Sequence, residues 1–156
     1  MISEPFIDIR TVLSWYQTYL QSNKEWLLKD VPRRADLQVH EAVYHFNIYM
    51  YLFKLLTPEG AQVVPEFPTG NGKIDLVIRY GEAVYGLELK TFRDRAYYKT
   101  ALTQASRYGK RLNLSEITLV FFINKIDDIN RQKLETHHID KGTGTLVKPV
   151  FIETGD

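Results

Sequence analysis

Three charged residues near the middle of the sequence are spaced so that one β-hairpin would bring their side chains together. Gly81-Glu82 separates two segments rich in β-forming residues and is typical of a two-residue hairpin loop. With that loop, Asp75 lies directly opposite Glu88, and opposed side chains share a face with Cβ atoms ~4.5–5.5 Å apart. Lys90 follows Glu88 by two residues and projects from the same face. The hairpin therefore predicts a patch of two carboxylates and one ammonium.

Two carboxylates this close repel each other and destabilise a sheet unless a cation offsets their charge. Hard divalent cations such as Mg²⁺ prefer carboxylate and carbonyl oxygens, so the patch predicts a metal site at Asp75 and Glu88. Such an ion polarises a phosphodiester and activates a bound water, and Lys90 could orient that water or offset developing negative charge. The alternative is an ordinary exposed Glu88–Lys90 pair, because a shift of one residue in register separates the carboxylates.

Residues on two predicted helices point to the same chemistry. Glu41 falls on the apolar stripe of the first of them, where an acid needs a partner. It could face the metal or its water, and the alternative is a surface charge near a helix end. Gln104 and Tyr108, at i and i+4, share a face of the later helix, and Arg107 and Arg111 lie beside that face.

The elements that must position these residues follow from periodicity and turn residues. The patterns predict helices over about 8–29 and 37–56 (the latter capped by Asp36), strands over 62–67, 74–80 and 83–91, a helix over 94–112, a strand over 117–123, a short helix over 127–136 and a last edge strand over 146–152. The strand–helix–strand order requires a parallel crossover, whereas the first three strands are close enough for an antiparallel meander. The order predicts a single α/β domain over 1–156.

Composition excludes several classes of protein. The chain has 156 residues, 44% hydrophobic and 25% charged, which is enough for a core and unlike a disordered or fibrous chain. It has no cysteine, which excludes disulfides, thiolate nucleophiles and cysteine metal sites. No signal peptide is recognisable, and the longest apolar run, Thr118–Ile123, is far shorter than a ~20-residue membrane span. A soluble cytoplasmic protein with no membrane partner is expected.

Positive charge is concentrated in one segment, although the formal net charge of the chain is only +1. Lys90–Arg111 contains seven basic residues against one acidic residue, Asp94. The residues predicted to contact nucleic acid are Arg93, Arg95, Lys99, Arg107 and Arg111. The alternative, which charge alone favours, is a solvated helix face.

Other candidate motifs are weaker. Gly70-Asn71-Gly72-Lys73 lacks the flanking residues that a phosphate-binding loop requires, so ATP hydrolysis by this chain is not expected. The histidines, including His40 and His45 on one helix, are predicted to be structural or surface residues. Tyrosines such as Tyr97 are predicted to belong to the core and its rim rather than to base-stacking platforms.

This set of residues resembles the PD-(D/E)XK nuclease superfamily. The matching parts are, in chain order, Glu41, the strand Gly70–Ile78 with Asp75, the triplet Glu88-Leu89-Lys90, and Gln104–Tyr108. A more specific likeness is to the nuclease-like domain at the C-terminus of bacterial AAA-ATPase-like proteins, where Pro65-Glu66-Phe67 before a Gly-rich turn and a following aspartate recur. Ile74 stands where the family name has proline, as in many members.

The resemblance implies a restriction-endonuclease-like α/β core over about 37–123, made of a helix, a three-strand antiparallel meander, a helix and a strand parallel by crossover. The helix over about 8–29 would be an N-terminal addition, and about 127–156 a C-terminal appendix. It also implies Mg²⁺-dependent phosphodiester hydrolysis, with Mn²⁺ as an alternative ion. The implied roles are metal ligation by Asp75, Glu88 and the Leu89 carbonyl, catalysis by Lys90 with Glu41 as auxiliary acid, and support by Gln104 and Tyr108.

The sequence is therefore interpreted as that of a metal-dependent nuclease, with DNA as the expected partner. The alternative is an inactive nucleic-acid or protein interaction module of the same fold, although a degraded site usually loses one of its charged residues. A third interpretation is a regulatory domain of a larger ATPase, docked through the first helix with Trp15, Tyr16 and Trp26. Endo- against exonuclease, DNA against RNA, and monomer against homodimer are left open.

Overall fold

The structure is a computed structural model that describes residues 6–29, 41–65 and 75–155. These residues form a mixed α/β fold, in which a six-stranded sheet has helices on both faces. The elements are α1 (Ile9–Leu27), α2 (Glu41–Leu56), a 3-10 turn (Thr57–Glu59), β1 (Gln62–Pro65), β2 (Leu76–Tyr80), β3 (Ala83–Thr91), α3 (Arg95–Arg111), β4 (Glu116–Ile123), α4 (Asp128–Leu134), β5 (His138–Ile139) and β6 (Leu146–Glu153).

The sheet has the order β1-β2-β3-β4-β6-β5. The first three strands are antiparallel, β3, β4 and β6 are parallel, and β5 is antiparallel to β6. In the β2–β3 hairpin Tyr80 pairs with Ala83 and Leu76 pairs with Leu87, which is the register predicted from a two-residue loop. Because β3, β4 and β6 are parallel, their carboxyl ends lie along one edge of the sheet, and residue Asp75 enters β2 from that edge.

Alternation along β3 separates the core from the polar face. Leu87 and Leu89 are buried in a cluster with α1 and α2 on one face of the sheet. Glu88 and Lys90 therefore project from the opposite face, where α3 packs through Ala101, Ala105 and neighbouring apolar residues on β4 and β6.

The predicted helix starts at Asp94 and Asp127 are confirmed, because both are N-caps. An Asp94 side-chain oxygen accepts the Tyr97 N–H at 2.7 Å, and an Asp127 oxygen accepts the Asn130 N–H at 2.8 Å. Each carboxylate satisfies a backbone donor that the first helical turn leaves without a partner. Asp36 and the start of the second helix lie outside the described residues, as does the Gly-rich segment 66–74.

The last strand corrects the sequence prediction. The segment 146–152 was expected at a sheet edge, in an appendix to the core, but β6 lies between β4 and β5 and pairs with β4 along its whole length. Val150, Phe151 and Ile152 are buried, as expected of a strand covered on both faces. Residues 149 and 151 direct their main-chain groups to the same side of β6, and those of Phe151 bond to side chains rather than to β4. The Pro149 nitrogen therefore faces away from β4, and its missing N–H costs no hydrogen bond between these strands.

The surface of α1 also differs from the prediction. Tyr16 is wholly buried, and its hydroxyl donates to Asn47 Oδ1 at 2.7 Å, so it cannot belong to a docking surface. Trp15 and Trp26 are 53% and 66% exposed. Among the helices in the described ranges, none is long and apolar enough to cross a membrane.

Candidate active site

Asp75 and Glu88 meet where the β2–β3 ladder ends. Asp75 immediately precedes β2, and its Oδ2 accepts the Leu89 N–H at 2.7 Å. The Asp75 side chain thus accepts a main-chain N–H of β3 just beyond the Leu76–Leu87 pair. Glu88 is only 3% exposed, and its carboxyl lies within hydrogen-bonding reach of the Asp75 carboxyl. The structure therefore brings the two predicted carboxylates together.

The pair holds a proton at neutral pH. Burial raises the pKa of Glu88 to about 8, the neighbouring Asp75 adds to the rise, and Lys90 opposes it. Burial also raises the pKa of Asp75, against the effect of the Leu89 N–H. When both carboxyls are ionised, Glu88 Oε2 has no hydrogen-bond donor among the residues that the structure describes. A proton shared with Asp75 supplies one, and a cation could take its place.

Lys90 lies on the same face as Glu88. Its Nζ is 3.4 Å from Glu88 Oε1, and the side chain is half-buried. Burial alone would lower the pKa of Lys90, but the attraction of Glu88, Tyr97 and Asp75 raises it on balance. Lys90 is therefore an ammonium at neutral pH and acts as a hydrogen-bond donor rather than as a base.

Glu41, in the first turn of α2, reaches the same end of β3. The neighbouring His45 side chain lowers the pKa of Glu41, and the Lys90 charge and the Thr91 N–H lower it further, against burial. His45 Nε2 is 3.4 Å from Glu41 Oε1, one helical turn away. Glu41 is therefore ionised, in contrast to the protonated Asp75–Glu88 pair.

Two carboxylates occupy one edge of β3 beyond the ladder. Asp75 accepts the Leu89 N–H, and Glu41 lies at the Thr91 N–H two residues further on. The N–H and C=O of one strand residue point to the same side, so the Leu89 carbonyl is directed to the side on which both carboxylates lie. Asp75 and Glu41 thus lie along one side of β3, at main-chain donors two residues apart, and do not form a three-carboxylate group with Glu88.

One side of α3 faces β3. Tyr97, whose hydroxyl affects Lys90, shares a stripe with Gln104 and Tyr108 at helical spacing. Tyr98, on another side, packs on Phe121 and Phe151 of β4 and β6. Gln104 and Tyr108 therefore share a side of α3 with Tyr97. They lie two to three turns from Tyr97, and Tyr108 packs against the hydrophobic cluster under α3 rather than at the carboxylates.

The five predicted nucleic-acid contacts are all exposed, but they extend over the whole of α3. The Arg93 guanidinium lies 4.8 Å from the centre of the Tyr97 ring, so Arg93 and Arg95 are at the end near Lys90. Arg107 follows Tyr97 by ten residues, or ~15 Å along a helix. Arg107 and Arg111 therefore lie at the far end of α3, not beside the carboxylates.

The sequence prediction did not include His45 and Tyr97 among the site residues. Their signals were present as i, i+4 pairs: Glu41 with His45 on α2, and Arg93 with Tyr97 at the start of α3. Such pairs are common on solvated helix faces, so only the positions of α2 and α3 against β3 reveal that both face the site.

The candidate ligands for a metal are Asp75, Glu88 and the Leu89 carbonyl. Within residues 6–29, 41–65 and 75–155, no group of three or more His, Asp or Glu side chains is arranged to hold a metal ion. Two carboxylates with a main-chain oxygen leave the remaining positions to water and substrate, which is the usual mode for Mg²⁺. Comparison of the chain with protein-family models and with curated protein sequences gives no match.

Proposed function

We propose that this chain is a metal-dependent nuclease that hydrolyses phosphodiester bonds in nucleic acid, with DNA as its substrate. The observation that carries the proposal is the buried Asp75–Glu88 pair on one face with the Lys90 ammonium. A fold gains nothing from burying two adjacent carboxyls, because the pair resists ionisation and is less stable for it. A metal site, in which a divalent cation replaces the shared proton, would account for the buried pair.

The residues fit such a cation. Glu88 Oε2 lacks a donor among the described residues when the pair is ionised, and carboxylate and carbonyl oxygens are the ligands that Mg²⁺ and Mn²⁺ accept. Asp75, Glu88 and the Leu89 carbonyl would hold the ion, with Mg²⁺ preferred. When bound, the ion would offset the negative charge of the phosphodiester and lower the pKa of a bound water.

The other side chains have complementary tasks. Lys90, charged and held at Glu88, donates to a non-bridging phosphate oxygen and offsets the negative charge that develops there. Glu41 is ionised and held by His45, so it accepts a hydrogen bond from the attacking water and orients it. Gln104 and Tyr108, further along α3, act only by holding that helix against the sheet.

The order of elements supports the finer assignment of the fold. A helix, an antiparallel meander of three strands, a helix and a parallel strand follow one another from α2 to β4. We infer a restriction-endonuclease-like core in this region, with α1 added before it and β6 extending the sheet. The catalytic residues then come from the ends of β2 and β3 and from the first turn of α2.

The proposal is tested by cleavage of plasmid, linear duplex and single-stranded DNA in Mg²⁺ or Mn²⁺. We expect Asp75→Asn and Glu88→Gln to lower the rate by on the order of 10³-fold, because each removes a ligand worth several kcal/mol of charge stabilisation. Lys90→Met should lose cleavage while keeping metal binding. Glu116→Gln, at an exposed ion pair, is the control. A parent chain that binds no Mg²⁺ or Mn²⁺ by calorimetry and cleaves nothing would refute the proposal.

A second candidate function has one observation in its favour. Exposed Trp15 and Trp26 on α1 suit an interaction module of the same fold that regulates a larger ATPase assembly. That function needs no metal, so calorimetry separates the two candidates. Divalent-ion binding that disappears in Asp75→Ala supports the nuclease, and its absence in a folded parent supports the module.

A further inference from the structure

The sheet edge that carries the carboxylates also carries a cavity of about 790 Å³, which we call the end cavity. It lies between the first turns of α3 and α4, beyond the ends of β3, β4 and β6. We propose that the end cavity is a nucleobase subsite, which takes one unstacked base of the substrate strand near the phosphate bound at Asp75 and Glu88. This inference rests on the proposed nuclease function.

The floor of the end cavity suits a flat ring. Its apolar lining is formed by Phe92, Ile123, Ile126 and Leu134. The Phe92 ring is held edge-on against Phe121 and tilted against Phe151, at centroid distances of 5.9 and 5.6 Å, so it offers a rigid wall. Bases stack on aromatic and apolar side chains irrespective of sequence, and cavities of this size and lining are typical ligand sites.

The rim of the end cavity carries charges of both signs. Three carboxylates line the cavity, but each accepts a backbone N–H: Asp94 from Tyr97, Asp127 from Asn130, and Glu153 from Ile126. The two cations, Arg95 and Lys125, are exposed and make no ion pair with any residue that the structure describes. Arg95 and Lys125 are therefore the groups at the rim that can pair with the phosphate of a bound nucleotide, beside carboxylates that keep their negative charge.

The end cavity lies in line with the candidate active site. Glu88, Lys90 and Phe92 are two residues apart along one extended segment, so their side chains project from the same face. The Phe92 N–H donates to the Phe122 carbonyl and so continues the pairing of β3 with β4. Phe92 is thus ~7 Å from Lys90 along the chain direction. A strand whose phosphate contacts Lys90 can place a nearby base in the cavity only if that base is unpaired. Single-stranded or locally opened DNA is therefore the preferred substrate.

The test measures binding of single-stranded oligonucleotides to Glu88→Gln, in which cleavage is suppressed, with one abasic position scanned across the bond that the parent cleaves. We expect one position at which loss of the base weakens binding by about 10-fold (~1.4 kcal/mol). Ile126→Trp, which fills the cavity, and Lys125→Ala, on its exposed rim, should each abolish or reduce that dependence. The matched controls are Ile129→Trp and Lys133→Ala, both at exposed positions on α4 outside the cavity.

The outcomes separate this inference from the function on which it rests. If the parent cleaves DNA but every abasic oligonucleotide binds alike, or if Ile126→Trp retains the positional dependence, the subsite is refuted and the nuclease stands. If no substrate is cleaved and no metal binds, the proposed function falls, and the subsite falls with it.

Discussion

Among the residues that the structure describes, two glutamates are almost completely buried, and their surroundings are opposite. Glu135 is 7% exposed and accepts the Phe151 N–H at 2.7 Å, with Arg10 at 2.9 Å and Arg131 at 3.3 Å. Glu88 faces another carboxyl and a single ammonium. The first carboxylate is fully satisfied, and the second is satisfied only by holding a proton.

The difference separates a structural role from a functional one. Glu135 and Arg131 bond the N–H and C=O of Phe151, and Gln17 and Gln21 do the same for Glu153. Side chains thus complete the edge of β6 where the short β5 ends, which protects it from pairing with another chain. In the Asp75–Glu88 pair, Asp75 accepts the Leu89 N–H, but Glu88 Oε2 has no donor among the described residues, and the protonation of the pair is a cost to the fold that a bound cation would remove.

The largest expected effect on stability is at Glu135. Glu135→Ala should lower the free energy of unfolding by about 4 kcal/mol, because it leaves Arg131 and the Phe151 N–H without their buried acceptor. Urea denaturation against the parent measures this. Glu116→Gln, which breaks the exposed pair with Lys148, should cost ~0.5 kcal/mol. Equal losses in the two variants would show that the buried network has no special structural role.

At Glu88 a substitution is expected to change the free energy of unfolding in the opposite direction. Burial raises the pKa to about 8 from 4.5, so between these values the folded chain holds a proton that the unfolded chain has released. Stability of the parent therefore falls as pH rises through this window, and it is retained below it. Glu88→Gln lacks the loss, so it should match the parent near pH 4 and exceed it by on the order of 3 kcal/mol at pH 9. A variant less stable than the parent at pH 9 would mean that the pair is well satisfied, like Glu135.

A cation should remove the difference between the two glutamates. At Mg²⁺ concentrations 100-fold above the dissociation constant, the parent should gain ~2.7 kcal/mol, seen as a rise in Tm. Because the ion displaces the shared proton, binding should release protons and tighten with pH. Glu88→Gln should show neither effect, and Glu135→Gln should keep both. Equal Tm shifts in the parent and in Glu88→Gln would place the ion elsewhere.

The hairpin register could be predicted because it depends on local information alone. A two-residue loop at Gly81-Glu82 determines which residues oppose each other, and the alternation of Leu87 and Leu89 with Glu88 and Lys90 determines the faces. Helix caps at Asp94 and Asp127 were predictable for the same reason. Each signal lies within a few residues of the feature that it specifies.

The features that were not predicted depend on contacts distant in sequence. The position of β6 depends on side chains at α1 and α4 that take the place of a neighbouring strand beyond β5. His45 and Tyr97 belong to the site only because α2 and α3 pack near the end of β3. Helical spacing placed them on a face but could not say what that face meets.

The arginines give the last and smallest test of the same comparison. Arg10 and Arg131 are bound to a carboxylate of their own chain and lie away from α3, whose arginines are exposed to solvent. Replacing Arg107 and Arg111 together by Ala should flatten the salt dependence of duplex DNA binding by a log–log slope of ~1.8, since each phosphate contact contributes about 0.9. The loss should be the same for all sequences, because phosphate contacts carry no sequence information.

Metal binding should be unchanged in this double variant, because both residues lie at the far end of α3 from Lys90. Arg10→Ala is the matched control: it removes an exposed arginine whose charge is already directed at Glu135, so the slope should remain that of the parent. Titrations of one duplex at several salt concentrations measure all three proteins. If the double variant keeps the parent's affinity and slope, α3 presents a solvated face, and DNA reaches the carboxylates along another surface.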